Sequence, residues 1–300
     1  MRAGLRAVSV AILLAFLGLN LLADLLTAVP ARAQEKSQET PKEASKEAPK
    51  ETSKDTSQDP PQPAPQNAAQ DAPAVAPQSC EVPDYLLSSE SSLPKVAEAV
   101  KGRHPLDILV VGSRSSTIPS SEESAYPARL QAMLKEKLPA VTVNVSVELQ
   151  SKKTSEEIAA GLGKLMDDKK PTLVIWQTGT VDAMRSIDPD DFRTAVDDGV
   201  AAMQKAGTDV ILMNLQYSPR TESMISAPPY LDNLRVVAQQ YDVPLFDRFG
   251  IMHQWNDSGD FDFFSASHGL DLVKRVHDCL GRALSKFVID AAHLDPAQQN

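Results

Sequence analysis

Two runs of the chain restrict its fold more than any other feature: Ile108-Leu-Val-Val-Gly-Ser-Arg-Ser-Ser116 and Val174-Ile-Trp-Gln-Thr-Gly-Thr-Val-Asp182. Each is a stretch of apolar residues without alternation that leads to a glycine among small hydroxyl residues. A strand with one wet face would alternate apolar and polar. A continuous run predicts cover on both faces, the situation of a parallel sheet between two helical layers. In such sheets the polar residues at the carboxyl ends of the strands are where ligands bind.

The rest of the chain alternates in the same sense. Asp107–Gly112 is predicted as the first strand, followed by a helix over Tyr126–Lys137 with Leu130, Met133, Leu134 and Leu138 on one side. Val141–Leu149 sets Val141, Val143, Val145 and Val147 between mostly polar residues, which suits a less buried strand. Thr154-Ser-Glu-Glu157 supplies a cap and an acidic first turn for a helix ending near Asp168. Thr172–Gln177 is the third strand. Pro189–Ala206 is a helix capped by Asp188 and stopped by Gly207. Asp209–Asn214 and Val243–Phe246 are the fourth and fifth strands, separated by a helix over Tyr230–Tyr241, and a long helix from about Asp271 to Asp290 closes the chain. The alternation predicts right-handed crossovers onto a mostly parallel five-stranded sheet: an α/β, three-layer, doubly wound, flavodoxin-like fold.

Three zones flank or precede that domain. Met1–Ala33 has a basic start at Arg2 and Arg6, an apolar stretch from about Ala7 to Leu26, and a small-x-small site at Ala31-Arg-Ala33. This is the pattern of a cleaved signal peptide, with an uncleaved anchor as the competing reading. No other segment approaches the ~20 continuous apolar residues of a membrane span, so a membrane is expected only through an uncleaved signal segment. Residues 34–79 cycle through Lys42-Glu-Ala-Ser, Lys46-Glu-Ala-Pro, Lys50-Glu-Thr-Ser and Lys54-Asp-Thr-Ser before a Pro/Gln/Ala stretch. Such a segment buries too little apolar surface to offset chain entropy and is predicted to be a disordered linker, either a spacer or a tether without a specific partner. Residues 80–293 form one domain, and 294–300 a disordered tail.

The net charge is −10, and losing Arg2, Arg6, Arg32 and Asp24 with the signal takes it to about −12. That balance argues against nucleic acid and anionic membrane surfaces as partners. The only two cysteines, Cys80 and Cys279, stand at the two ends of the domain. An exported chain predicts their pairing, worth on the order of 4–5 kcal/mol in the chain-entropy treatment; two buried thiols are the alternative. Neither zinc spacing nor a redox pair is present.

From about Asp107 to Leu284 the order of elements and the two opening runs resemble the SGNH/GDSL hydrolases, a family of Ser-His-Asp esterases and acyl-processing enzymes. The resemblance implies a nucleophile on the turn Gly112-Ser-Arg-Ser-Ser-Thr117. Strict counting puts Arg114 there, a residue that cannot attack an acyl carbon. A shift by one residue offers Ser113 or Ser115, with Ser115-Ser116-Thr117 matching the family's Ser-x-Thr. A serine-rich turn that only caps backbone groups is the alternative. Where the family has Gly-x-Asn-Asp, this chain has Gly179-Thr180-Val181-Asp182. Val181 lacks the oxyanion-directed amide, a donor worth about 3 kcal/mol, while Asp182 either shapes the pocket or caps the loop before Met184. The second block carries Gln150-Ser-Lys152-Lys153 in place of an oxyanion-hole glycine, leaving backbone N–H groups and two cations near the site.

The general base is expected from an Asp-x-x-His turn before the last helix. Here that turn is Ser265-Ala-Ser-His268, so His268 stands without its aspartate unless Asp262 folds back to it. His277, beside Asp278 and Cys279, is the rival base but reads more readily as a packing or surface residue; His104, His253 and His293 are scattered, which gives no metal site and no cofactor. After the fourth strand, Gln216, Tyr217 and Arg220 cluster where a sugar or acidic group could be held. Asp247-Arg248 reads as a salt-bridged cap. Two functions follow. One is a periplasmic or secreted esterase acting on acyl esters of cell-envelope carbohydrate or lipid, through Ser113 or Ser115 and His268. The other is a non-catalytic relative that binds a cell-envelope glycan or acyl group through Arg114, Gln216, Tyr217 and Arg220. A nucleotide binder would need a Gly-rich phosphate loop, which the sequence lacks.

Overall fold

The computed structural model describes residues 80–264 and 269–294. The predicted signal segment and linker, the Ser265–His268 turn and residues 295–300 lie outside them. Leu294, assigned to the tail from sequence, is buried, and its N–H donates to the Ile289 carbonyl at 3.2 Å, so the domain runs one residue further than expected.

Five strands make one parallel sheet: β1 (Leu106–Gly112), β2 (Val143–Leu149), β3 (Leu173–Gln177), β4 (Asp209–Met213) and β5 (Leu245–Phe246). They lie in the order β2-β1-β3-β4-β5, all parallel. The order reverses between β1 and β3, which makes the carboxyl ends of these two strands the switch point where ligands settle in such sheets.

The continuous apolar runs are explained by the two cores. Ile108 and Val110 of β1, with Leu173 and Ile175 of β3, face one side. Helices α2 (Pro94–Lys101), α3 (Tyr126–Lys137), α9 (Arg248–Asp257) and α10 (Gly269–Ala291) cover it. Leu109, Val111, Val174 and Trp176 face the other side, under α4 (Ser155–Lys169), α6 (Pro189–Lys205) and α8 (Pro228–Gln240). The strand β2 has neither cover in full. It is an edge strand, less buried than the others as expected, but Val147, which the alternation groups with the inward valines, and Leu149 stay more than 40% exposed.

Local signals place the helices. Thr154 caps α4 in a reciprocal box with Glu157, and Asp188 caps α6 by accepting the Asp190 N–H. On α6, Gly199 lies under Trp176; a β-carbon there would strike the indole. The short helices α1 (Asp84–Leu87), α5 (Thr180–Met184) and α7 (Pro219–Met224) fall below the window in which periodicity can be read. The strand ends before Val141, Thr172 and Val243 are trimmed by one or two residues relative to expectation.

Cys80 and Cys279 form a disulfide with a Cα–Cα separation of 5.2 Å. It ties the start of the domain to the buried face of α10, and Trp255 Nε1 donates to the Glu81 carbonyl at 3.0 Å beside it. At the start of β4, Asp209 Oδ2 accepts the Lys95 and Val96 N–H groups at 2.8 and 2.9 Å, anchoring the start of α2 to that strand. Among the described residues no helix is long and apolar enough to cross a membrane.

Candidate active site

β1 delivers the chain to Gly112, where any side chain would run into Ser116 Oγ. The next residues tighten into a single 3-10 turn, Arg114–Ser116, closed by the Ser116 N–H donating to the Ser113 carbonyl at 2.9 Å. Three hydroxyls from this turn meet one amide. Gln177, the last residue of β3, donates from Nε2 to Ser113 Oγ at 3.0 Å and to Ser115 Oγ at 2.8 Å. Its Oε1 accepts from Ser116 Oγ at 2.8 Å and from Tyr126 Oη at 3.1 Å. Ser113 Oγ and Ser115 Oγ are 3.2 Å apart. Ser116 and Tyr126 are buried, whereas Ser113 and Ser115 are half-buried and open to a ligand. Arg114 is exposed on the same turn.

Behind the turn sits Arg248, which does not form the predicted salt-bridged cap. Asp247 does cap α9, accepting the Gly250 N–H at 2.8 Å, but it also holds Asn214 Nδ2 at 2.6 Å. Arg248 is 1% exposed and its Nη1 donates to Ser115 Oγ at 3.4 Å, while Nε and Nη2 have no hydrogen-bond partner among the described residues. Burial pulls its pKa down to about 10, so it remains a cation at neutral pH. In sequence this residue is distinguished only by its place beside Asp247 after a strand.

His277 is buried on α10 and its Nδ1 accepts the Tyr126 N–H at 2.9 Å. Desolvation first, and the Arg248 charge second, lower its pKa to about 4. The ring is neutral, its proton sits on Nε2 and its free lone pair is spent on α3. This is the packing role expected of it. His253 stands 3.0 Å from Asp257 one turn along α9. Among the described residues no histidine hydrogen-bonds a hydroxyl of the serine turn. His268, the expected base, lies outside the described residues.

The exit of β3 forms the other wall. Gly179 has φ 92°, and a side chain there would strike Leu215. Thr180 opens α5 and accepts the Gln216 N–H on Oγ1 at 3.2 Å. Val181 follows, and Asp182 is buried. The Asp182 carboxylate accepts the Ser155 N–H and the Ser155 hydroxyl, both at 2.9 Å, and Ser155 Oγ also meets Thr178 Oγ1. Burial raises the Asp182 pKa, with the Ser155 hydrogen bonds acting against it. Asp182 therefore caps the start of α4 across the crevice, while its carboxylate also meets the backbone of Gly179 and of its own residue before Met184. It also lines a slot with Gly112, Ser113, Gln150, Lys153 and Gln177, whose volume of ≈ 20 Å³ has room for one water. Lys152 takes a left-handed conformation, φ 65°, and its carbonyl accepts Arg185 Nη2 at 2.7 Å.

The loop after β4 departs from expectation at its tyrosine. Tyr217 is 3% exposed and packs edge-on against Phe249, His253 and Phe263. It is a core aromatic and presents no ring to an open crevice. Gln216 is half-buried, and Arg220 is exposed on α7. The groups missed from sequence, Gln177, Tyr126, Ser155 and Arg248, share one trait: each is a polar side chain within or beside a buried segment.

Residues 79–294 match the Non-GDSL lipase-like family. No curated protein matches the chain. Among solved structures, a two-domain esterase, CEX, active on acetylated mannans, superposes with a TM-score of 0.57 at 15% identity, over 71% of this chain and 57% of that one. LAE5, an alpha/beta hydrolase from the metagenome of Lake Arreo, Spain, gives a TM-score of 0.50 at 19% identity, over 63% of this chain and 96% of its own. At these identities the likeness is one of fold.

Proposed function

Because the chain belongs to the Non-GDSL lipase-like family, with the fold of the SGNH/GDSL hydrolases, we propose that it is an exported serine esterase. It cleaves acyl esters of cell-envelope carbohydrate or lipid, with Ser113 or Ser115 as nucleophile and His268 as general base. Export rests on the signal-like Met1–Ala33 segment. The observation that carries the reaction is the meeting of two half-open serine hydroxyls on one buried amide at the switch point of the sheet. A serine at that place, held in a fixed rotamer and next to a cation, is where acyl transfer needs its nucleophile. The acetylated polysaccharide used by the two-domain esterase gives the substrate class to try first.

The test is labelling of the folded protein with a fluorophosphonate, mapping of the adduct by peptide mass spectrometry, and acetate release from acetylated glycan. Adduct on Ser113 or Ser115, lost in the matching alanine variant together with acetate release, is the expected result. A second reading, a non-catalytic glycan-binding relative, is favoured by Val181, whose side chain has no donor for an oxyanion. Folded protein without adduct or acetate release, but with retained glycan binding weakened in Arg114→Ala or Arg220→Ala, would establish that reading instead.

A further inference from the structure

Among the described residues, Arg248 is a buried charge with no carboxylate paired to it. Asp247, the neighbouring carboxylate, is committed to Asn214, Gly250 and, at 3.9 Å, Arg235. The other described groups that feel the guanidinium charge are neutral: the Tyr126 phenol, whose pKa burial raises, and the His277 imidazole, kept uncharged. Arg114 and Lys153 add positive charge from the solvent side of the same turn and slot. Desolvating a guanidinium without a carboxylate is costly, and apolar residues of similar volume commonly replace buried charges with no loss of stability, or with a gain. Such costs concentrate where a charge is needed for chemistry.

The two serines differ in how they meet this charge. Both accept from Gln177, but only Ser115 Oγ also receives an N–H from Arg248. Ser115 Oγ is thus the one point on the turn where an amide donor and a buried cation converge.

We infer that Arg248 designates Ser115, and not Ser113, as the nucleophile, by offsetting the negative charge that appears on its oxygen. The inference rests on the esterase reading of the site. Ser115 Oγ bonds to the acyl carbon as the carbonyl electron pair moves onto the carbonyl oxygen. The hydroxyl proton passes to the general base of that reading. Collapse expels the alcohol, which takes the proton back, and leaves acyl-Ser115; water then adds to the acyl carbon, releases the acid and restores the hydroxyl. Arg248 exchanges no proton. It is a positioning and charge-stabilising residue whose effect is on the Ser115 oxygen.

The experiment measures fluorophosphonate labelling rates from pH 6 to 10 on the full chain and on the S113A, S115A, R248M and R248K variants, with thermal unfolding of each. The expected adduct is on Ser115, lost in S115A and present in S113A. R248M keeps or raises the unfolding temperature while labelling falls by about 10²–10³-fold, the scale of losing a strong transition-state donor, and its pH midpoint moves up. R248K, which retains the charge without the planar fork, labels more slowly than wild type at an unmoved midpoint. Adduct on Ser113 that survives in S115A, or Ser115 labelled at the wild-type rate in R248M, overturns the assignment and leaves the esterase reading standing. Absence of adduct and of acetate release from every folded protein instead removes the esterase reading. If R248M does not fold, the split between S113A and S115A and the R248K midpoint decide the case.

Discussion

Asp182 shows how one side chain serves both wall and frame. Its carboxylate holds the backbone and hydroxyl of Ser155 while lining the slot. Asp182→Ala leaves the buried Ser155 N–H unpaired and the Ser155 hydroxyl with Thr178 alone, and should cost about 1–3 kcal/mol, whereas Asp182→Asn, which keeps an acceptor for the N–H, should cost clearly less. Urea unfolding of both separates them. His277 predicts a pH effect. The unfolded imidazole takes up a proton near 6.5 and the native one only near about 4. Stability therefore falls as pH drops through that window and returns as pH rises, by about 3 kcal/mol in full. In His277→Asn, which can still accept the Tyr126 N–H, the unfolding free energy should change less between pH 6.5 and 4. At this scale the sequence exposed Ser113, Ser115 and Asp182, because the turn and strand end announce themselves. It hid Gln177 and Arg248, whose meaning comes from partners 62 and 133 residues away.

Among the elements, the continuous apolar strands and the capped helices were legible because each depends on neighbours in sequence. The lower burial of β2 was legible too, from its alternating valines, though not its place at the edge of the sheet. The helix α9 was not. Ile251, Met252 and Trp255 are buried, but the ten-residue segment also buries an arginine and carries no one-sided apolar stripe. Packing between elements leads to another prediction. Gly199 brings α6 against the Trp176 ring of β3, so Gly199→Ala should destabilise by about 1–3 kcal/mol through overpacking, despite alanine's better helix propensity. The midpoint of chemical denaturation checks it, and an unchanged or raised midpoint would mean that α6 shifts freely.

For the molecule as a whole, strand order fixes where chemistry can occur; alternation and the right-handed crossover rule indicated a doubly wound parallel sheet, and the structure supplies the order itself. The size of the site was not readable. The slot beside Ser113 has room for one water only, so the acyl group of a substrate has to lie outside it. The disulfide spans 199 residues, and replacing Cys80 and Cys279 by serine should cost at most about 5 kcal/mol by loop-entropy reasoning, seen as a lower unfolding temperature that reductant reproduces in the wild type. That bridge also changes what cutting the chain means. From Cys80 to Cys279 the protein is a closed covalent ring, so one proteolytic nick within it opens a loop without releasing a fragment. A clipped molecule would travel as a single band until a thiol is added and then divide in two.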